Sequence, residues 1–279
     1  MRVIVTGAAG QLGQVVATLF SATHDVVALT RAEVDLTNHD SVLRRVAAAR
    51  PDVIINCSAY NAVDQAEDDA STALAVNAFA VRSLARAANE AGAVLVHYST
   101  DFVFDGGATR PYTEEDLPGP RSVYGQSKLL GEFFARDVPR HYVLRVESLF
   151  GGPRPKSSID RIIEALAADR EARVFTDRVV SPSFVDDVAA ATQALLTVAA
   201  PPGVYHCVNG GSATWYDVGV HIADVMRVTP RLAGVRVADV PMKAPRPQYC
   251  ALSNAKLAAA GVSMPAWQDA LRRYIERTQ

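Results

Sequence analysis

The stretch Arg2-Val3-Ile4-Val5-Thr6-Gly7-Ala8-Ala9-Gly10-Gln11-Leu12-Gly13 decides how this 279-residue chain is read. A short β-branched run passes into Gly-x-x-Gly-x-x-Gly, and an apolar helical pattern follows over 12–21. Glycines at such a junction permit a tight turn, a close approach of backbone to a pyrophosphate, and tight packing of helix on strand. The helix N-terminus adds N–H donors for an anion. A glycine triplet alone is equally a turn without a ligand; its place between strand and helix makes Gly7, Gly10, Gln11, Leu12 and Gly13 a candidate dinucleotide site.

Outward from that loop, strand-like runs at 2–6, 26–29, 53–56, 94–98 and 142–146 alternate with helical patterns at 12–21, 41–49, 70–91 and 122–136. The strands are nearly all apolar, as expected where helices cover both faces of a parallel sheet. The predicted fold is α/β, a Rossmann-type doubly wound parallel sheet. Residues 1–150 are predicted to form the dinucleotide-binding domain. From Gly151 the pattern loosens, with helices near 157–168 and 185–198 and frequent prolines. Residues 151–279 are read as mainly a smaller C-terminal substrate-binding lobe, partly interleaved with the sheet.

Composition narrows the function. Hydrophobic residues make up 49% and charged residues 21%, which suffices for a core and argues against disorder. A formal net charge of −2 offers no excess of cations for a phosphate backbone, so nucleic acid is not an expected partner. Cys57, Cys207 and Cys250 are few and widely spaced, which fits reduced thiols and a cytoplasmic setting. No signal-peptide pattern or membrane anchor is read in the chain.

The second strand ends Ala28-Leu29-Thr30-Arg31, with no carboxylate placed to clasp a ribose 2′-hydroxyl. Arg31 can instead meet a 2′-phosphate, which favours NADP, as NADPH. Glu33 and Asp35 lie close by, so NADH stays open; Asp35 and Leu36 join Arg31 at this end of the cofactor site.

A second cluster carries chemistry. Ser99-Thr100-Asp101 follows a buried strand at the carboxyl edge, where α/β sheets bind ligands, and Tyr124-Gly125-Gln126-Ser127-Lys128 lies downstream. The four-residue spacing puts Tyr124 and Lys128 on one helix face. A phenol is a poor proton donor at neutral pH, and a neighbouring ammonium is expected to lower its pKa. Lys128 would also bind the nicotinamide ribose, and Thr100 would hydrogen-bond the carbonyl oxygen that Tyr124 protonates.

Three blocks now extend the pattern: Asn56-Cys57-Ser58-Ala59-Tyr60-Asn61-Ala62-Val63-Asp64-Gln65-Ala66-Glu67, Ser99-Thr100-Asp101-Phe102-Val103-Phe104-Asp105-Gly106, and Tyr124-Gly125-Gln126-Ser127-Lys128-Leu129-Leu130-Gly131-Glu132. With the glycine loop, Gly203-Val204-Tyr205-His206, Trp215 and Arg246-Pro247, they span nearly the whole chain. The sequence resembles the extended short-chain dehydrogenase/reductases, and within them the dTDP-4-dehydrorhamnose reductase-like family. The resemblance implies an NAD(P)-dependent oxidoreductase of deoxysugar biosynthesis that uses NADPH to reduce a nucleotide-linked 4-keto-6-deoxysugar. It implies catalytic roles for Thr100, Tyr124 and Lys128, with Asp101 as an accessory. Cys57, Ser58, Ala59, Tyr60 and Ser99 would line the cofactor, and Asn77 would sit under the site unless it bonds only its own helix. Arg246 would meet the nucleotide diphosphate. Val63, Phe102, Glu147 and Leu149 would join Thr100, Asp101 and Tyr124 around the substrate. A homodimer stays open, and no metal site is expected.

Three departures from the family pattern predict an altered pocket. Relatives commonly carry Arg-Thr-Ser-Trp-Val-Phe/Tyr where this chain has Arg145-Val146-Glu147-Ser148-Leu149-Phe150. Thr176-Asp177-Arg178-Val179-Val180-Ser181-Pro182-Ser183 departs from Asp-Gln-x-Gly-x-Pro-Thr, and Cys250 replaces a serine after Arg-Pro. Competing functions are an epimerase, which shares the Tyr and Lys, and a non-catalytic subunit resembling the β subunit of methionine adenosyltransferase. A 4,6-dehydratase is disfavoured because Phe102 stands where its acid/base glutamate would be. His97 is read as a hydrogen-bonded core histidine, and Asp186-Asp187 as charge at a helix N-terminus.

Overall fold

Along β1 (Arg2–Thr6), Val3 and Val5 point to one face and Ile4 to the other, and all three are fully buried. The same division holds in β3 (Val53–Asn56), with Val53 and Ile55 opposite Ile54. Strands apolar on both faces need a helical layer on each side. On one face lie Leu12, Val16 and Phe20 of α1 (Gln11–Ser21); on the other, Val42 and Val46 of α2 (His39–Ala49) and Val81 and Leu84 of α3 (Ala80–Ala91). Each such side chain contributes roughly 1.5–3 kcal/mol by leaving water.

The computed structural model describes residues 1–153 and 156–278. With β2 (Asp25–Leu29), β4 (Val94–Thr100), β5 (His141–Val146) and β6 (Gly203–His206), the strands form a six-stranded sheet in the order β6-β5-β4-β3-β1-β2, every pairing parallel. The order reverses at β1, which lies between β2 and β3, so a crevice opens there at the carboxyl edge. α4 (Val123–Ala135) covers the α3 face, α5 (Ser158–Ala167) begins the second half, and α6 (Val185–Thr197) packs on α1. β6 and α6 therefore belong to the sheet and its cover although they follow residue 150. Small strand pairs complete the second half: Leu149–Phe150 with Ser183–Phe184, Val179–Val180 with Ala213–Thr214, and Ala172–Phe175 with Leu232–Val235.

Three local expectations change. β4 continues through Ser99 and Thr100, because these pair with Arg145 and Val146 of β5. The stretch 70–91 is not one α-helix: Ala70–Leu74 leads into a π turn at Ala75–Phe79 before α3. Asp186 and Asp187 do lie in the first turn of α6, but they also bond Arg277 and Arg273 at 2.5 and 2.7 Å. Those arginines belong to the final helix, Trp267–Thr278, so the acids pin that helix as well as facing the dipole. No helix among the described residues is long and apolar enough to cross a membrane. All three cysteines are free thiols.

Candidate active site

The glycine loop is built for close approach of main chain. Gly7 has φ +66°, and a Cβ there would stand 2.8 Å from the backbone of Cys57 and Ser58. A Cβ on Gly13 would come 2.2 Å from the Gly7 carbonyl oxygen. Gly13 thus holds α1 against the loop, while Gly7, Gly10, Gln11 and Leu12 line a cleft of about 840 Å³. Gly10 caps α1 without a side-chain bond, and no acid occupies the first turn. Free N–H donors and a positive helix end fit the pyrophosphate of a dinucleotide.

Arg31, Asp35 and Leu36 also line the cleft. Both neighbouring acids are engaged within their own loop. Glu33 accepts the Thr30 N–H at 2.7 Å and also the Thr30 hydroxyl, and Asp35 accepts from the Thr37 N–H at 2.9 Å and hydroxyl at 2.7 Å. These bonds hold both carboxyls below their ordinary range. Exposed Arg31 makes no ion pair among the described residues, so its guanidinium is free to meet an anion.

Cys57, Ser58, Ala59 and Tyr60, following β3, form the opposite wall. Asn56 Oδ1 accepts from the Thr6 hydroxyl at 2.7 Å and the Ser58 N–H at 3.1 Å, and its Nδ2 meets His97 Nδ1 at 3.1 Å. His97 is fully buried there, as a core histidine. Asn77 lies in the π turn and bonds across the fold instead of along its helix. Its Oδ1 accepts the Tyr60 N–H at 2.8 Å, and its Nδ2 donates to the Tyr60 carbonyl at 3.1 Å and the Ser127 hydroxyl at 3.0 Å. A Cβ on Gly131 of α4 would stand 2.2 Å from the Asn77 carbonyl oxygen, so α4 presses directly on that turn.

Ser122 caps α4 by accepting the Gly125 N–H at 3.1 Å, which places Tyr124 in the first turn and Lys128 in the next. Both side chains are buried and line the cleft beside Ser99, Thr100 and Asp101. The Thr100 hydroxyl donates to Asp101 Oδ1 at 2.9 Å and accepts the Phe102 N–H at 3.2 Å. Tyr124 Oη donates to Asn61 Oδ1 at 3.4 Å, and Lys128 Nζ donates to the Tyr98 carbonyl at 2.6 Å. Burial brings Lys128 down to about 8, against the opposing pull of Glu132 and Cys57. The expectation that Lys128 lowers the Tyr124 pKa is corrected: burial pushes the phenol up, with Thr100 pulling it down and Asp101 pushing it further up. Tyr124 is therefore a protonated phenol at neutral pH, the form that can donate.

Val63, Phe102, Glu147, Leu149 and Arg246 line the same cleft. Arg246 donates from Nη2 to Asp64 Oδ2 at 2.8 Å, and its Nη1 is buried without a hydrogen-bond partner. Sequence reasoning did not select Asn61 or Arg178, which also line the cleft. Asn61 is adjacent to the quoted block and was legible by position; Arg178 lies in irregular chain without a diagnostic spacing. The Arg178 and Arg246 guanidiniums sit 5.7 and 5.8 Å from the Phe102 ring centre, and that ring meets Tyr124 edge-on at 5.4 Å. His206 is away from the cleft: it is buried in β6, its N–H donates to Glu114 at 2.7 Å, and burial lowers its pKa to about 3.

A family model described as the RmlD substrate binding domain matches residues 1–279. The chain belongs to this dTDP-4-dehydrorhamnose reductase-like family. Among its relatives, a dTDP-4-dehydrorhamnose reductase of Mycolicibacterium smegmatis is 36% identical over 277 residues, covering 97% of this chain and 84% of that protein. The crystal structure of a Clostridium acetobutylicum dTDP-4-dehydrorhamnose reductase superposes with TM-score 0.95 at 32% identity, over 100% of both chains. The Bacillus anthracis reductase, solved in complex with NADP, gives TM-score 0.93 at 32% identity over 99% of each chain. In this family context, Glu147, Arg178 and Cys250, like Leu149, are among the residues at which the chain departs from the pattern quoted above.

Proposed function

We propose that the protein is an NADPH-dependent reductase of a nucleotide-linked 4-keto-6-deoxysugar, similar in activity to the dTDP-4-dehydrorhamnose reductases it resembles. The observation that carries this reading is the convergence of Thr100, Tyr124 and Lys128 on the cleft that also holds the glycine cradle. Family membership and the NADP bound by the Bacillus anthracis relative support the same cofactor. Bound NADPH would supply a hydride.

The chain's own residues account for the remaining chemistry. Tyr124 holds the proton destined for the carbonyl oxygen, and the Thr100 hydroxyl beside it orients that oxygen. Lys128, anchored on the Tyr98 carbonyl, places a positive charge near the developing alkoxide. Arg246 offers its unpartnered Nη1 to the diphosphate, so binding energy far from the sugar orients the reacting carbon. Free thiols fit a cytoplasmic setting.

The test follows NADPH oxidation with a panel of dTDP- and UDP-4-keto-6-deoxyhexoses. Tyr124→Phe is expected to keep NADPH binding and lose about 10²–10⁴-fold in turnover. Stoichiometric NADPH consumption separates reduction from epimerisation. A Tyr124→Phe enzyme as fast as its parent would remove the proposed acid.

A further inference from the structure

Glu147, Arg178 and Cys250 come from three separate departures in the sequence, yet they meet at one place. One oxygen of Asp101, one of Glu147 and the Cys250 Sγ all lie within 4.8 Å of one another. Asp101 and Glu147 are only 4% and 2% exposed. Arg178 reaches this group with Nη2 at 3.7 Å from the Cys250 Sγ. Its guanidinium supplies the positive charge that a metal ion would otherwise bring, and Cys250 keeps its proton, donating to the Pro247 carbonyl at 3.2 Å. The cluster is therefore read as a site for a proton and not for a metal.

The hydrogen bonds around the two carboxyls leave room for one proton between them. Glu147 Oε2 accepts the Ser181 N–H at 2.6 Å, and Asp101 Oδ1 accepts the Thr100 hydroxyl at 2.9 Å. The other oxygen of each carboxyl, Glu147 Oε1 and Asp101 Oδ2, is buried without any partner. Two buried orphan acceptors are costly, and two ionised carboxylates at this separation repel each other. A single proton relieves both penalties, because it turns one orphan into a donor and removes one negative charge.

We propose that Asp101 and Glu147 form a carboxyl pair that holds one proton and returns it through Thr100 to Tyr124 after each reduction. This rests on the reductase reading above and adds the proton supply of the same site. Tyr124, having given its proton to the substrate oxygen, receives one from the Thr100 hydroxyl that bonds it, and Thr100 receives one from Asp101 once that carboxyl turns to exchange its Thr100-bonded Oδ1 for the protonated Oδ2. Thr100 ends unchanged, Tyr124 is again a phenol, and the pair carries one more negative charge facing Arg178 until water in the cleft reprotonates it. Glu147 is a positioning residue here, acting through Asp101.

The surroundings are consistent with this assignment. Facing Asp101 are Arg178, Cys250, Tyr124 and Glu147; facing Glu147 are Arg178, Cys250, Tyr249 and Asp101. Burial raises both carboxyls, Glu147 strongly, with Asp101 adding to the rise of Glu147 and Arg178 opposing it.

The experiment is infrared spectroscopy of the full chain with ¹³C-labelled carboxyl groups at neutral pH, comparing the parent with Glu147→Gln and Asp101→Asn. A protonated-carboxyl band is expected in the parent and lost in both variants, because the remaining carboxyl ionises against Arg178. No band in the parent, or a band untouched by either substitution, overturns the proposal. Asp101→Asn alone decides the matter if Glu147→Gln does not fold. This arm needs no substrate, so its failure is distinct from failure of the reductase reading. In kinetics, the ratio of first-turnover rate to steady-state rate should rise about tenfold in Glu147→Gln, whatever the change in the first turnover itself, since Tyr124 reprotonation is the step slowed beyond it. Equal loss in both phases would mark Glu147 as merely structural and overturn the relay.

Discussion

Replacing Lys128 by Met should stabilise the fold while removing function. The ammonium is 2% exposed, and burial brings its pKa from the ordinary 10.5 to about 8. At about 1.4 kcal/mol per pH unit, keeping that charge buried costs roughly 3 kcal/mol when the lysine is protonated in both folded and unfolded chains. Losing the bond to the Tyr98 carbonyl removes about 1.5–3 kcal/mol of that advantage. A net gain on the order of 1 kcal/mol at pH 7 is therefore expected in urea unfolding. The sign of the pH dependence is specific. Between about 8 and 10.5 the unfolded chain holds a proton that the folded chain has released, so parental stability rises with pH in that window. The Met variant lacks this rise, and its advantage should shrink by about 2 kcal/mol between pH 7 and about pH 9.5. A stability difference that stays constant over that range would refute the argument that the buried charge is the cause. NADPH titration of the same protein is expected to show weakened binding.

Gly13→Ala would drive a methyl group to 2.2 Å from the Gly7 carbonyl oxygen, so a loss of about 1–3 kcal/mol and weaker NADPH binding are expected; parental thermal stability and affinity would contradict the tight-loop argument. Arg31→Ala should weaken NADPH by about 10–100-fold and leave NADH nearly unchanged, the cost of one charge-assisted phosphate contact; equal loss for both cofactors would show that Arg31 reads no 2′-phosphate. His206, lowered from 6.5 to about 3, stays neutral in the fold while the unfolded chain takes up a proton. It therefore removes stability as pH falls below about 6.5, at about 1.4 kcal/mol per unit. Urea titrations of His206→Gln from pH 7 to about pH 4.5 should give a shallower slope by that amount, and an unaltered slope would place the proton uptake elsewhere.

What the amino-acid sequence by itself determined is the part governed by near neighbours. The Gly7 to Gly13 loop between strand and helix, the apolar runs of β1, β3 and β5, and the four-residue step from Tyr124 to Lys128 are set by backbone period and turn sterics, which act over a few residues. Tertiary structure decided what depends on distant partners. Asn77 lies in a π turn because Tyr60, Ser127 and the close approach of Gly131 hold it there. Tyr124 is a protonated donor because burial outweighs the help of Thr100, a balance that helical spacing cannot express. Glu147, Arg178 and Cys250 read along the chain as three unrelated departures. Contacts between distant segments, among them the pairing of Leu149–Phe150 with Ser183–Phe184 and the Cys250 N–H bonded to Val179 at 2.9 Å, bring them together beside Asp101. Charge, burial and orphaned hydrogen-bond atoms are properties of that enclosure, since desolvation depends on everything that surrounds a group and not on its neighbours in sequence.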